Sequence, residues 1–460
     1  MRCALTGRLV LAAVLAAPVV LAGGTAEADE PAVRQVVVLE EDAGDPGAVA
    51  ADLAAEVGVV ADAVFAEALP AWTATMTDAE AAEVESDPRV AFVVEDFRFA
   101  HDSGARPSAC SGVRSGRQCL PRWAARIGAD QSPARVGDGR GSVRVNVAVI
   151  DTGIAAAHPD LNVAGGVDCG SGTAVPVTGA VTDGSGHGTM VAGVLGARDD
   201  RTGVVGAAPG TPLWSVDVFD EYGEAWLSNL LCAVDWVTAT RQDADRGNDI
   251  AVANMSVSGL GADDGRCGRE AGDPLHAAIC AATDAGVGFV AAAGNYGMDL
   301  AEVIPAAYDE VIAVTAMTDL DGRAGARTQI DCLGSDVRDY GESDDSGAYF
   351  SNYATGLGDL AHTLAAPGVC VETTTDGEVP GYGVGDGTSL AAPAVAGVLA
   401  TCIEYGPCRA GRPQYNAATL VLGAAQQGVR HRAQGFTGDP LHPFPEDDVR
   451  RFGFLVAAGR

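Results

Sequence analysis

Asp386-Gly-Thr-Ser-Leu-Ala-Ala-Pro-Ala-Val-Ala-Gly397 places one hydroxyl, Ser389, at the head of an otherwise small and apolar run. Gly387 lets the chain turn tightly before it, and the apolar residues from Leu390 to Leu399 need burial in a helix or a strand. Pro393 decides between the two. In the first turn of a helix a proline deletes only an N–H that has no intrahelical partner, whereas in a central strand it deletes a ladder bond. A helix beginning near Ser389 is therefore predicted, its free N–H groups and positive dipole end directed at any oxyanion forming beside the hydroxyl. The same position suits a plain N-cap serine, and this stretch alone leaves both roles open.

Outward from this run, short apolar segments bounded by Gly, Asp or Asn recur at Val143–Ile150, Leu213–Val218, Ile250–Val257, Gly286–Ala293 and Val311–Ala316, with helical stretches such as Leu227–Thr240 and Leu275–Asp284 between them. This pattern predicts an α/β fold with a mostly parallel sheet covered by helices on both faces. Catalytic groups in such a fold belong at the carboxyl ends of the strands. Asp151 follows directly on Val-Asn-Val-Ala-Val-Ile150, where a carboxylate can orient an imidazolium or simply form a turn. Of the seven histidines, His187 alone combines flanking glycines with a following apolar helix. A serine hydroxyl becomes a good nucleophile only when a histidine takes its proton, and that histidine needs a partner fixing its tautomer. Asp151, His187 and Ser389 supply those three roles in that chain order.

The segments Val149-Ile-Asp-Thr-Gly153, His187-Gly-Thr-Met-Val-Ala-Gly193 and Gly387-Thr-Ser-Leu-Ala-Ala-Pro393 resemble the signatures of the subtilisin-like serine proteases, and the likeness extends over residues 120–460. The resemblance implies that Asn295, in Ala291-Ala-Ala-Gly-Asn295, supplies an oxyanion donor. It also implies that Ser256, Val257, Ser258 and Gly259 on one side, and Ala292, Ala293 and Gly294 on the other, wall the primary specificity pocket. Asp160 and Asp200 match the spacing of the family's strong calcium site, so structural calcium is expected; no cofactor is expected for catalysis. Met190, Leu390 and Ala394 depart from the residues usual at those positions, and none of the three is a proton-transfer group.

The start of the chain reads differently. Residues 1–28 combine a basic head, the apolar stretch Leu9–Ala22 and the small-residue end Ala26-Glu27-Ala28, as in a secretory signal peptide. The acidic segment 29–106 has a strand-helix-strand-strand-helix-strand pattern, a ferredoxin-like α+β unit. It resembles the cleavable inhibitory propeptide of the family, which leaves 107–460 as the peptidase domain. Residues 101–117 read as an exposed linker. Removal of Cys3 with the signal leaves ten of the 11 cysteines, an even number suited to disulfides in an oxidising compartment. Cys110 with Cys119, Cys267 with Cys280 and Cys402 with Cys408 are spaced to close short loops, although spacing does not determine connectivity.

A net charge of −33, with no lysine anywhere, repels nucleic acid and anionic membranes, so neither is expected as a partner. No membrane anchor is expected after the signal. The expected function is that of a secreted serine endopeptidase made as a self-processing precursor, acting on proteins or peptides and inhibited by its own propeptide. The alternatives are a protease dedicated to one secreted partner and a subtilase-fold protein that binds without cutting.

Overall fold

In the computed structural model, the described residues are 31–101, 106–107, 113–115, 118–177, 182–325, 342–376, 381–445 and 448–459. The proposed signal segment and Cys110 lie outside them. The first elements are strand β1 (Val33–Leu39), helix α1 (Pro46–Val57), strands β2 (Ala63–Phe65) and β3 (Ala71–Met76), helix α2 (Asp78–Glu85) and strand β4 (Val90–Glu95). They build an antiparallel sheet in the order β2-β3-β1-β4. The helices begin where the sequence supplies caps. The Asp45 carboxylate accepts the Ala48 N–H ahead of α1, and Thr77 and Glu80 bond reciprocally at the start of α2. Alternation along β1 divides its side chains between two cores: Val37 and Leu39 face Leu53, Trp72 and Val84, while Val36 and Val38 join a core shared with the larger body.

That body holds β5 (Val147–Asp151), β6 (Val163–Asp168), α3 (His187–Gly196), β7 (Leu213–Asp217), α4 (Leu227–Gln242), β8 (Val252–Met255), α5 (Pro274–Ala285), β9 (Gly288–Ala292), β10 (Val311–Thr318), β11 (Thr363–Pro367), α6 (Thr388–Tyr405), α7 (Pro413–Arg430) and β12 (Phe454–Leu455). The sheet runs β6-β7-β5-β8-β9-β10-β11-β12, every neighbouring pair parallel, with short antiparallel additions Val175–Pro176 on β6 and Ser346–Gly347 on β10. Val147, Val149, Val290 and Val314 point into one core with α3 and α6; Ala148, Ile150, Phe289 and Val311 point into the other with α4 and α5. Both faces are thus buried, which explains why the strands read as continuous apolar runs.

One expectation is corrected. The Ser389 helix begins at Thr388, so Pro393 lies inside it rather than in its first turn. The proline leaves the carbonyl four residues earlier, that of Ser389, without its helical donor. The Ser256 hydroxyl donates to that oxygen at 2.8 Å and in turn accepts from Asn254 Nδ2 at 3.0 Å. The linker reading also changes, because Arg106–Pro107 pairs antiparallel with the strand Gly381–Gly385.

Candidate active site

Asp151 ends β5 and His187 opens α3, each almost wholly buried. The Asp151 Oδ1 atom lies 2.7 Å from His187 Nδ1 and accepts the Thr152 N–H at 2.8 Å. A carboxylate that is missed by sequence reasoning holds both residues in place. Asp183 Oδ1 accepts from the Thr152 hydroxyl and the Gly186 N–H, each at 2.8 Å, while its Oδ2 accepts from the Thr189 N–H and hydroxyl, each at 2.7 Å. Asp183 therefore caps the His187 helix and ties it to the turn after Asp151. Its signal, an acidic residue just before an apolar helix, was available in the sequence.

Ser389 is the second residue of α6, and its Oγ is buried with no hydrogen-bond partner among the described residues. Gly387, at φ 144°, approaches so closely that a Cβ there would come within 2.9 Å of that Oγ and 3.5 Å of Asn295 Nδ2. The Asn295 amide oxygen accepts from the Thr388 N–H and hydroxyl, both at 2.9 Å, which orients its NH₂ toward the space in front of Ser389. Asn352 steadies the same loop by donating to the Ala293 carbonyl at 2.7 Å and accepting from the Tyr296 N–H at 3.0 Å. Replacing Asn295 by alanine is expected to lower kcat on a peptide substrate about 10²–10³-fold with little change in KM, since the donor acts only on the developing oxyanion. A change confined to KM in steady-state kinetics would contradict that role.

The subtilase family profile matches residues 143–437, which include Asp151, His187, Asn295 and Ser389. The chain belongs to the subtilase family. It is similar to subtilisin NAT of Bacillus subtilis subsp. natto, with 31% identity over 73% of this chain and 71% of the relative. It is also similar to M-protease of Shouchella clausii (strain KSM-K16), with 30% identity over 74% and 71% respectively. For subtilisin DY of Bacillus licheniformis the identity is 33% over 63% of this chain and 86% of the relative. As a subtilisin-like serine endopeptidase it acts on peptide or protein substrates.

In this subtilase the cleft in front of Ser389 is lined by Ser256, Val257, Ser258, Ala292, Gly294, Asn295 and Tyr296 together with Ala100 and His101. Two of the expected pocket residues lie elsewhere. Ala293 is fully buried, its N–H donating to the Val314 carbonyl, and Gly259 sits one step further along, where the Phe99 ring occupies the space a Cβ would need. Arg98–Phe99 pairs antiparallel with Ala225–Trp226, and Ala100 exchanges backbone hydrogen bonds of 2.9 and 3.0 Å with Ser258. His101, read from sequence as a linker residue, lies against His187 with ring centroids 4.8 Å apart and the planes tilted by 40°, and meets Phe219 edge-on.

At the expected calcium position, Asp160 Oδ2 accepts the Val204 N–H while its buried Oδ1 has no hydrogen-bond partner among the described residues. Burial pushes the Asp160 carboxyl up to about 7. The carbonyls of Arg198 and Val204 converge on the side-chain amide of Gln118, at 2.8 and 3.3 Å. Asp200 is exposed and bonds to Thr202 within its own loop. The Gln118 Oε1 atom accepts the Arg201 N–H at 3.0 Å, so the orphaned carboxylate oxygen and two carbonyls fit a hard cation once that amide turns its oxygen toward them. Gln118 was not foreseen, being remote in sequence from the acidic loop.

The disulfides Cys169–Cys232, Cys267–Cys280 and Cys402–Cys408 fit an oxidising compartment. Two of them were anticipated as local loops; Cys169–Cys232 spans 63 residues and was not. Among the described residues one helix, Thr388–Tyr405, is long and apolar enough to cross a membrane, and it is mostly buried in the protein.

Proposed function

We propose that this subtilase is a secreted endopeptidase in which Ser389 attacks the peptide carbonyl and His187 takes and returns the proton. Asp151 orients and charge-balances His187, and Asn295 with the Ser389 N–H receives the oxyanion. We further propose that residues 29 to about 101 are an inhibitory propeptide removed by the enzyme itself. The observation that supports this is the seating of Arg98–His101 as an added antiparallel strand beside His187, with Arg106–Pro107 paired antiparallel on Gly381–Gly385. Such backbone pairing is how extended peptides bind sheet edges.

The contacts behind that strand support this reading. Asp96 accepts from the Ser228 N–H and hydroxyl at 2.9 and 2.7 Å, at the start of α4, and Asp235 of α4 accepts the N–H groups of Glu67 and Ala68 at 2.6 and 2.8 Å. The mature N-terminus should therefore lie between Asp102 and Arg106. Intact-mass measurement of the purified secreted enzyme checks this, and a terminus well outside that interval would reject the assignment.

Calcium held by Asp160, Gln118 and the Arg198 and Val204 carbonyls would lock the loop beside β6 and take no part in the chemistry. Because burial pushes the Asp160 carboxyl up to about 7, the ion must displace a proton below that pH. Calcium affinity measured by calorimetry should fall as pH is lowered through about 7, level off above it, and be lost in Asp160→Asn. Affinity unchanged in that variant would place the ion elsewhere.

A further inference from the structure

His276, the third residue of α5, is 1% exposed and held from three sides. Its ring stacks on Tyr308 at 4.1 Å with the planes 4° apart, and the Tyr308 hydroxyl donates to Asp273, the residue that caps α5, at 2.6 Å. Its Nε2 lies 2.9 Å from Glu310 Oε2. A carboxylate can only accept, so Nε2 carries the hydrogen, and in the neutral form of the ring the lone pair stands on Nδ1. That buried Nδ1 has no hydrogen-bond partner among the described residues.

What faces Nδ1 is a pair of carboxylates, Asp263 Oδ1 at 3.6 Å and Asp264 Oδ1 at 3.8 Å, and the three atoms lie within 4.8 Å of one another. Both separations are too long for an N–H···O bond. They are close to what one ion imposes, since two donors each about 2.0–2.2 Å from a tetrahedral zinc stand about 3.3–3.6 Å apart. The carboxylates are fixed by backbone donors. Asp263 Oδ1 accepts the Gly265 N–H at 2.5 Å, and Asp264 Oδ1 accepts those of Arg266 and Gly268 at 2.8 and 3.0 Å. The Cys267 and Cys280 sulfurs near His276 are spent in a disulfide and supply no ligand.

We propose that Asp263, Asp264 and His276 Nδ1 form a site for a divalent transition metal, zinc by ligand type. A carboxylate-imidazole-metal relay through Glu310 would fix the ring, with solvent completing the shell. The ion would pin the loop between Gly259–Leu260 and α5 to the sheet end that carries Glu310. Both ligand aspartates retain some solvent exposure, 16% and 9% of the side chain, which gives an entry path.

The test uses the full chain with Ser389→Ala to prevent autolysis, stripped with chelator, saturated with calcium, then titrated with Zn²⁺ by calorimetry and with Co²⁺ by visible absorption. One saturable equivalent beyond calcium is expected. Asp263→Asn should weaken it at least about tenfold, and Glu310→Gln by about 10–100-fold, the usual cost of losing such an outer partner. No saturable Zn²⁺ or Co²⁺, or binding unchanged in both variants, overturns the proposal. Should either variant fail to fold by circular dichroism, the paramagnetic shift of the His276 ring protons in the Co²⁺-loaded parent decides: shifted supports the site, unshifted rejects it.

Discussion

Ser389→Ala should leave the precursor uncut and lower hydrolysis of a peptide substrate by about 10⁶, the size that loss of a nucleophile acting in concert with its base reaches in enzymes of this class. The geometry makes the substitution a clean one. It removes one buried oxygen that makes no hydrogen bond, so no partner is orphaned, and alanine is the best helix former for the second position of α6. The Ser389 carbonyl keeps its bond from Ser256, and the Gly387 turn is untouched. Melting temperature should therefore stay within the small range of a neutral substitution, and loss of function cannot be assigned to misfolding. Residual hydrolysis above the uncatalysed rate is expected from Asn295 and the helix N-terminus alone. The informative measurement is intact mass over time in the pure variant, alone and mixed with active enzyme. Retention alone with cleavage on mixing marks residues 101–106 as a substrate whose own enzyme is disabled. Continued release of the N-terminal segment from the pure variant would sink self-processing.

What could be read in advance followed from local physics. Alternating burial on both faces made the strands apolar throughout, so Val311–Ala316 and Leu213–Val218 were found nearly to the residue as Val311–Thr318 and Leu213–Asp217. The N-terminal unit was legible because its caps, Asp45 and Thr77, stand directly before the helices they start. What stayed hidden depends on partners far along the chain. Ser256 lines the cleft as read, but its hydroxyl also donates to the Ser389 carbonyl, which Pro393, one turn inside the helix, leaves without a helical donor. Gln118 and Asn352 act on loops 80 and 59 residues away, and nothing in their own surroundings marks them. His101 sits in a polar stretch and acquires meaning only when the strand before it enters the cleft.

Asp151 offers the sharper test of how the parts cooperate, because its two simplest replacements should fail by different amounts. Asp151→Ala removes both the orientation and the charge behind His187, and kcat should fall by about 10⁴. It also strips the buried Thr152 N–H of its acceptor, so some loss of stability accompanies it. Asp151→Asn can keep the orientation. The Thr152 N–H donates to Oδ1 at 2.8 Å, the same atom that lies 2.7 Å from His187 Nδ1, whereas Oδ2 is buried without a partner among the described residues. An amide NH₂ placed at Oδ1 would meet the Thr152 N–H head-on. Its oxygen should take that position instead, with the NH₂ in the Oδ2 space, and the His187 tautomer with hydrogen on Nδ1 survives. Only the charge stabilising the imidazolium is then lost, about 4 kcal/mol for unit charges near 4 Å at an effective dielectric of about 20, or on the order of 10³ in rate. Turnover numbers for the two variants, with KM close to the parent in both, should therefore rank asparagine above alanine. Should asparagine prove equal to or worse than alanine, the amide has turned its nitrogen toward His187, and the Thr152 N–H does not set the orientation on which proton transfer from Ser389 depends.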